Sequence, residues 1–323
     1  MVHLADGTWL AAYTIGQSPT ALRVKRSFDG MRTWTWIAEL RESGRDLDNA
    51  NLYQRPDGVV LLAMRSVVNG RSWRINVYQS GDAGNSWQFL STVDRNEAGK
   101  PGGKPSGLWE PFLLGLPDGR VACFYANETH SSDRPAYSQI IAERISEDGG
   151  LTWGAEIFAV AQPGAARPGE PNVASTANGF LLFYEVCGSE NCGGHTSSSA
   201  DGVSWPGSIG PAIPNTFQDA QGLALENGVV LAVSNQKEVL MGGSQGPDWV
   251  DTGTHPFAYG TWPAFYQLSP NEFAMVISGG GDNGEAGEYV RFGQIESATP
   301  EPRPHIRLPF RYPVATSRAR SER

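Results

Sequence analysis

The stretch SGDAGNSW, Ser80–Trp87, returns in the chain as SEDGGLTW, Ser146–Trp153. A third copy, SFDGMRTW at Ser27–Trp34, carries Met31 where the others have a second glycine. A fourth, SSADGVSW at Ser198–Trp205, is one residue short between Asp201 and Trp205. The shared pattern is S-x-D-x-G-x-[ST]-W, and its chemistry is that of a stapled hairpin turn. The Asp carboxylate can accept backbone N–H groups of its own turn, and Gly permits positive φ. The Ser or Thr hydroxyl adds a further bond, and the Trp ring is expected to pack under the next sheet. Asp29, Asp82, Asp148 and Asp201 are therefore expected in outer-hairpin turns, as structural residues.

A second repeat interleaves with this one. An apolar strand, a DG- or NG-type turn and a more apolar strand recur as LADGTWLAAY (4–13), QRPDGVVLLAM (54–64), GLPDGRVACFY (115–125), STANGFLLFY (175–184), LENGVVLAV (225–233) and QLSPNEFAMVI (267–277). Six hairpins at a period of about fifty residues are the signature of propeller blades. A stapled turn follows each of the first four hairpins, SQGPDW (244–249) is its remnant after the fifth, and EYVRFGQI (288–295) follows the sixth. No stretch holds a helical period. The expectation is an all-β, six-bladed β-propeller over residues 1–298. The segment 299–323, rich in Pro and Arg, is expected to be an extended or disordered tail.

With 39 Gly, 22 Pro and 10 Trp, the composition suits many short strands joined by tight turns. A net charge of -9 and the absence of a basic stripe argue against nucleic acid as a partner. No apolar run approaches a membrane span of about 18 residues, and Met1 leads directly into a strand pattern rather than a signal peptide. A monomer is expected. Cys123 lies in an apolar strand and reads as a buried thiol. Cys187 and Cys192 flank the loop CGSENC, where they either close a small disulfide, which would imply export, or remain free.

In a propeller the inner strands start, and the second strands end, at one mouth of the central channel. Counting back eight residues from the hairpin turns places Asn49, Glu110, Glu170 and Asp219 at equivalent inner-strand starts, and Trp262-Pro263 aligns with Glu110-Pro111 and Glu170-Pro171. Arg65, Asn127, Glu128 and Glu185 stand at second-strand ends. The result is an acidic ring with an aromatic platform. Propeller channels are often polar without being active, Arg65 can equally be a structural ion-pair partner, and Trp262 can equally be core. Opposed carboxylates beside an aromatic surface nevertheless suit cleavage of a glycosidic bond, with one acid protonating the leaving oxygen and the other attacking carbon or activating water. The five His are scattered without ligand spacing, so no metal or other cofactor is expected.

The stapled turn resembles the Asp-box of sialidase-like propellers. GLWEPFLLGLPDGR (107–120), RPGEPNVAS (167–175), FYEVCG (183–188) and NANLYQRPDG (49–58) together resemble the exo-α-1,5-L-arabinanases of glycoside hydrolase family 93, over most of Val2 to Glu296. The resemblance implies a secreted, retaining exo-glycoside hydrolase of linear α-1,5-L-arabinan or a related polysaccharide. It places the two catalytic glutamates at Glu110, as acid/base, and Glu185, as nucleophile, with Glu170 a rival for the second role. Glu110 and Glu170, both inner-strand starts, are expected to stand too far apart for a retaining pair. Asn49, Arg65, Asn127, Glu170, Asp219, Tyr259 and Trp262 are the expected substrate-binding residues, Tyr259 also as a donor to Glu185. Two alternatives remain: a sialidase, although Arg65 and Arg291 assemble no arginine triad, and a non-catalytic carbohydrate- or protein-binding propeller. An expected first-strand segment bearing Arg has no counterpart before Val2.

Overall fold

The stapled turns form as their side-chain chemistry dictates. In the computed structural model, which describes residues 1–97, 106–243, 246–280, 285–295 and 306–316, Asp148 Oδ1 accepts the Thr152 N–H (2.8 Å), its Oδ2 accepts the Thr152 hydroxyl (2.6 Å), and the Ser146 hydroxyl bonds both Asp148 and the Gly150 N–H. Asp29 and Asp82 repeat the arrangement with Thr33 and Ser86. The shortened fourth copy keeps it by moving the downstream partner one residue closer, so that Asp201 holds the N–H and hydroxyl of Ser204, while Ser199 stays two residues before the Asp. These bonds hold the four carboxyls below the usual range, Asp201 most strongly.

The turns sit within six antiparallel sheets taken in chain order. The first blade is β1 (Val2–His3), β2 (Trp9–Ile15), β3 (Ala21–Ser27) and β4 (Thr35–Leu40); the second is β5 (Asp46–Gln54), β6 (Val60–Val68), β7 (Ser72–Ser80) and β8 (Gln88–Asn96). The third holds β9 (Leu108–Gly115), β10 (Val121–Asn127), β11 (Ile140–Ser146) and β12 (Ile157–Val160). The fourth has β13 (Arg167–Thr176), β14 (Gly179–Cys187) and β15 (Gly193–Ser199), and the fifth β16 (Gln221–Ala224), β17 (Val229–Val233), β18 (Leu240–Gly243) and β19 (Gly246–Asp251). The sixth is β20 (Thr261–Ser269), β21 (Glu272–Gly280), β22 (Glu285–Ile295) and β23 (Ile306–Thr316). Helix is limited among the described residues to one 3₁₀ turn, Thr129–Ser132. The six-bladed propeller expected from the hairpin repeat is therefore the fold.

Two elements depart from the expectation. The fourth blade lacks a regular fourth strand, because Pro206, Pro211 and Pro214 remove ladder donors. The segment still lies along β15 through Thr196 N–H to Pro211 O and Ile213 N–H to Gly194 O. Part of the expected tail, Ile306–Thr316, pairs along β22 as the fourth strand of the last blade. Its alternation of apolar and cationic residues, IRLPFRYP, is a strand pattern that proline and arginine content masked. Residues 299–305 and 317–323 of that expected tail lie outside the described residues, as do Ser244 and Gln245 of the remnant turn.

The Trp residues of the stapled turns pack on the preceding blade in sequence, not on the next. Trp153 lies against the second-blade core around Leu61 and Val77 and donates its indole N–H to Ser91 Oγ (3.0 Å). Trp205 meets Phe124 edge-on, and Trp87 joins the first-blade cluster around Leu10 and Leu22. At Gly84 a Cβ would lie 2.9 Å from Leu10 Cδ1, so close blade approach as well as positive φ requires glycine there. In the first blade the same logic closes the ring. Fully buried Met31 and partly buried Trp34 pack with Ala274, Val276 and Val290 of the sixth blade. We predict that Trp153→Ala lowers unfolding stability by about 3 kcal/mol in urea titrations, since the ring is only partly buried.

One buried carboxyl stands apart from the channel. Glu143 on β11 is fully buried, with Oε2 on the Trp205 indole N–H (3.0 Å) and Oε1 without a partner. Burial raises it to about 8.

Candidate active site

One backbone irregularity repeats at the same mouth of the channel. In four blades two inner-strand residues oppose one on the second strand: Asn49-Ala50, Glu110-Pro111, Glu170-Pro171 and Trp262-Pro263. Asp219-Ala220 holds the equivalent place just before β16. The first residue of each pair has positive φ, between 50° and 56°. This is the geometry of a β-bulge, which turns one side chain out of the alternation, here toward the mouth. Proline fits the second place because a bulge leaves that position unpaired. The five residues that the turn register aligned are thus brought to one ring. Left-handed backbone at a non-glycine residue is costly, about 1–3 kcal/mol each, and persists where its surroundings over-determine it.

Side chains supply that over-determination, mostly from a neighbouring blade. Glu110 Oε2 accepts the Glu170 N–H (2.7 Å), Glu185 Oε2 accepts the Asp219 N–H (2.9 Å), and Asn235 Oδ1 accepts the Trp262 N–H (2.9 Å). Asn49 N–H is held by its neighbour Asp48 (2.9 Å). Across the bulges, Arg65 pairs with Asp48, Ala126 with Trp109 and Glu185 with Gly169, while Asn235 N–H reaches Gln218 O. Arg65, Ala126, Glu185 and Asn235 therefore occupy one repeated second-strand position. Ala126 is too short to reach the fourth blade, and Glu110 satisfies the Glu170 N–H instead. The Glu110 carboxyl and the Glu170 main chain are consequently in direct contact.

Four carboxyls crowd this mouth, and each is shifted. Burial pushes Glu110 up to about 7; the Glu170 N–H opposes this, Glu185 and Asp219 add to it, and Arg65 opposes it. Glu170 is held well above the usual range by burial, then by Glu110, Asp219 and Glu185, and its carboxyl hydrogen-bonds Asp219. Burial also raises Asp219, against hydrogen bonds from the Asn235 amide and Glu170. Glu185 is raised by burial; the Asp219 N–H opposes the shift, the Asp219 charge adds to it, and Arg167 opposes it. One proton shared between Glu170 and Asp219, with Glu170 as donor, relieves the repulsion.

Other expected residues fall into different places. Arg65 lies 3.1 Å from Asp48 and 4.5 Å from the Trp109 ring centre, so it both pairs with an acid and borders Glu110. Trp262 is 61% exposed and Tyr259 is exposed on the connection before β20; no hydrogen bond links Tyr259 to Glu185 among the described residues. Asn127 is not offered to a ligand. It stands one residue beyond the mouth-facing Ala126, on the opposite face of β10, and is buried with its amide on Glu156 and its oxygen on the Thr129 N–H. Sequence reasoning missed Asp48, Trp109, Arg167 and Asn235. Asn235 was accessible to it through the register shared with Glu185.

Cys187 and Cys192 are bridged, and Cys187 Sγ lies 3.3 Å from Glu185 Oε1. The loop they close is also tied by Glu190 Oε2 to His195 Nε2 (2.9 Å). Glu185 with Cys187 and Cys192 is the grouping of potential metal ligands found among the described residues, and its sulfurs are committed to the disulfide. Two residues further along the inner strands, Asn51, Phe112, Asn172, Gln221 and Ala264 line a cavity of about 720 Å³. Asn51 and Asn172 each accept a backbone N–H from the following blade, Leu113 and Gly222.

Comparison with solved structures agrees with this architecture. The Penicillium chrysogenum α-L-arabinanase complexed with arabinobiose superposes with a TM-score of 0.75 at 22% identity, over 91% of each chain. The family 93 α-L-arabinofuranosidase of Fusarium graminearum, also with arabinobiose, gives 0.74 at 20% identity over 91% of each chain. The NanB sialidase of Streptococcus pneumoniae gives 0.62 at 11% identity, over 86% of this chain and 64% of that one. No curated protein matches. At these identities the likeness concerns the fold. The family model of the BNR repeat-like domain matches residues 8–241, from the first blade through the third strand of the fifth, and the chain belongs to that BNR repeat-like family.

Proposed function

We propose that this protein is a retaining exo-glycoside hydrolase of linear α-1,5-L-arabinan or a related polysaccharide, with Glu110 as acid/base and Glu185 as nucleophile. The observation that carries the reading is the pair itself. Each carboxylate is oriented at the channel mouth by a backbone N–H of the next blade's bulge, in a fold shared with an α-L-arabinanase and an α-L-arabinofuranosidase whose structures hold arabinobiose. Glu110, raised to about 7, can carry a proton to the leaving oxygen near neutral pH while Glu185 attacks the anomeric carbon. Glu110 then deprotonates the water that releases the sugar. Trp262 supplies an exposed aromatic face for a pyranose or furanose ring.

A neutral sugar is favoured over sialic acid. Two arginines that border the mouth are already matched to acids: Arg65 with Asp48, and Arg167 with Glu128 (2.5 Å). Arg291 lies on β22 with its guanidinium over Phe257. The Cys187–Cys192 bridge supports an oxidising, exported setting. Incubation with linear α-1,5-arabino-oligosaccharides and, separately, a fluorogenic sialoside tests the reading. Release of short arabino-oligosaccharides with the sialoside untouched is the expected result. Cleavage of the sialoside alone would replace the reading, and inertness toward both would return the chain to the class of binding propellers.

A further inference from the structure

We propose that Asn235 is a positioning residue, an amide clamp between the fifth and sixth blades that orders Asp219 and Trp262 without itself touching the sugar. Its consequences for rate rest on the glycosidase reading; its geometry does not. Asn235 Nδ2 donates to Asp219 Oδ2, and Oδ1 accepts the Trp262 N–H at 2.9 Å. Its own backbone is held at both ends, by N–H to Gln218 O and by a carbonyl that accepts Lys237 Nζ (2.7 Å). The two neighbours it joins belong to different parts of the proposed chemistry. Asp219 accepts a hydrogen bond from Glu170 and presents its N–H to Glu185, while Trp262 is the exposed aromatic face. Both have left-handed backbone, at φ 50° and 52°.

A planar amide offers a donor to the carboxylate and an acceptor to the strained N–H at once. An Asp in that place keeps the acceptor, loses the donor and sets a second carboxylate against Asp219. An Ala keeps neither, and the Trp262 N–H, which also faces Asp219, is left to that carboxylate alone. The groups that face Asp219 are Glu170, Glu110 and Glu185, with Arg65 and Arg167 beyond them. Removing the amide frees Asp219 to compete with Glu170 for their common proton and to draw its N–H away from Glu185.

The two variants separate these roles. Asn235→Asp is expected to lower kcat about 30-fold with KM within about twofold of wild type, and to move the acid limb of the kcat profile to higher pH, because the added charge favours protonated carboxyls nearby. Asn235→Ala is expected to lower kcat similarly and also to raise KM about fivefold as the platform loosens. A reading independent of turnover uses protein labelled with 5-fluorotryptophan, with the Trp262 resonance assigned through Trp262→Phe. That resonance should shift in Asn235→Ala and stay in place in Asn235→Asp. If it stays in place in both variants, or if both lose only thermal stability while kcat, KM and the acid limb are unchanged, the clamp is wrong. If wild type hydrolyses no arabino-oligosaccharide, the glycosidase reading falls, and the fluorine spectra still decide the clamp.

Discussion

Glu110→Gln and Glu185→Gln are each expected to lose about 10³–10⁴-fold in kcat on arabino-oligosaccharides, whereas Glu170→Gln keeps measurable turnover. The difference follows from what each side chain is asked to do. Glu110 and Glu185 are acceptors of a backbone N–H at the mouth and leave a second oxygen for substrate. An amide in either place can neither transfer a proton nor attack carbon. Glu170 contributes its N–H to Glu110 through the main chain, which substitution leaves in place, and its side chain serves as a donor to Asp219. A Gln Nε2–H can donate there as the carboxylic acid does. With an activated aryl leaving group, azide should restore rate to Glu110→Gln alone and give a glycosyl azide of retained configuration. A dead Glu170→Gln beside an active Glu185→Gln would transfer the nucleophile's role to Glu170. Turnover in all three would remove the glycosidase reading.

The same burial that prepares these acids destabilises the fold at alkaline pH. Glu110 and Glu170 have folded pKa values raised above those of the unfolded chain. Such a group contributes stability that is fully present below its unfolded pKa, near 4.5, and is lost as pH rises through its folded value, about 7 for Glu110. Wild type should therefore melt progressively lower between pH 5 and pH 9. Glu110→Gln and Glu170→Gln, which cannot ionise, should melt several degrees higher than wild type at about pH 8.5 and close to it at about pH 4.5. Glu143, raised to about 8 by burial far from the mouth, gives the comparison. Glu143→Gln should share the alkaline gain while leaving kcat and KM unchanged. Differential scanning calorimetry across this range checks the sign, and an equal difference at both ends would show that ionisation is not its cause. On the proposed reading, the site is one where activity requires groups that cost stability.

How far the sequence carried the fold depends on how local the deciding chemistry is. A stapled turn closes its bonds within eight residues, so these turns and the hairpins between them are legible without tertiary knowledge. The ring positions were legible for a related reason. A hairpin turn sets the register of both its strands, so counting back from Asp57, Asp118, Asn178 and Asn227 reached equivalent sites. The bulges did not spoil the count, because they recur at one place in successive blades. What escaped depends on contacts between blades. Asn127 was placed at the mouth because a one-residue difference moves a strand side chain to the other face. Asn235 and Arg167 have meaning only through neighbours on other blades or distant strands. The direction in which the Trp of each stapled turn leans is likewise a property of the assembled ring, and β23 is stabilised by pairing with β22 rather than by its own composition.

Glu110 and Glu185 are proposed to act as a retaining pair on an arabinan-type substrate. Retention requires carboxyl groups about 5–5.5 Å apart and a glycosyl-enzyme, whereas inversion admits a water between acids about 6.5–9.5 Å apart. Proton NMR of the first hydrolysis product of a linear α-1,5-arabino-oligosaccharide, recorded before mutarotation, decides between them. The account predicts that the newly formed reducing end appears first as the α-anomer; its first appearance as the β-anomer, or no hydrolysis at all, would contradict it.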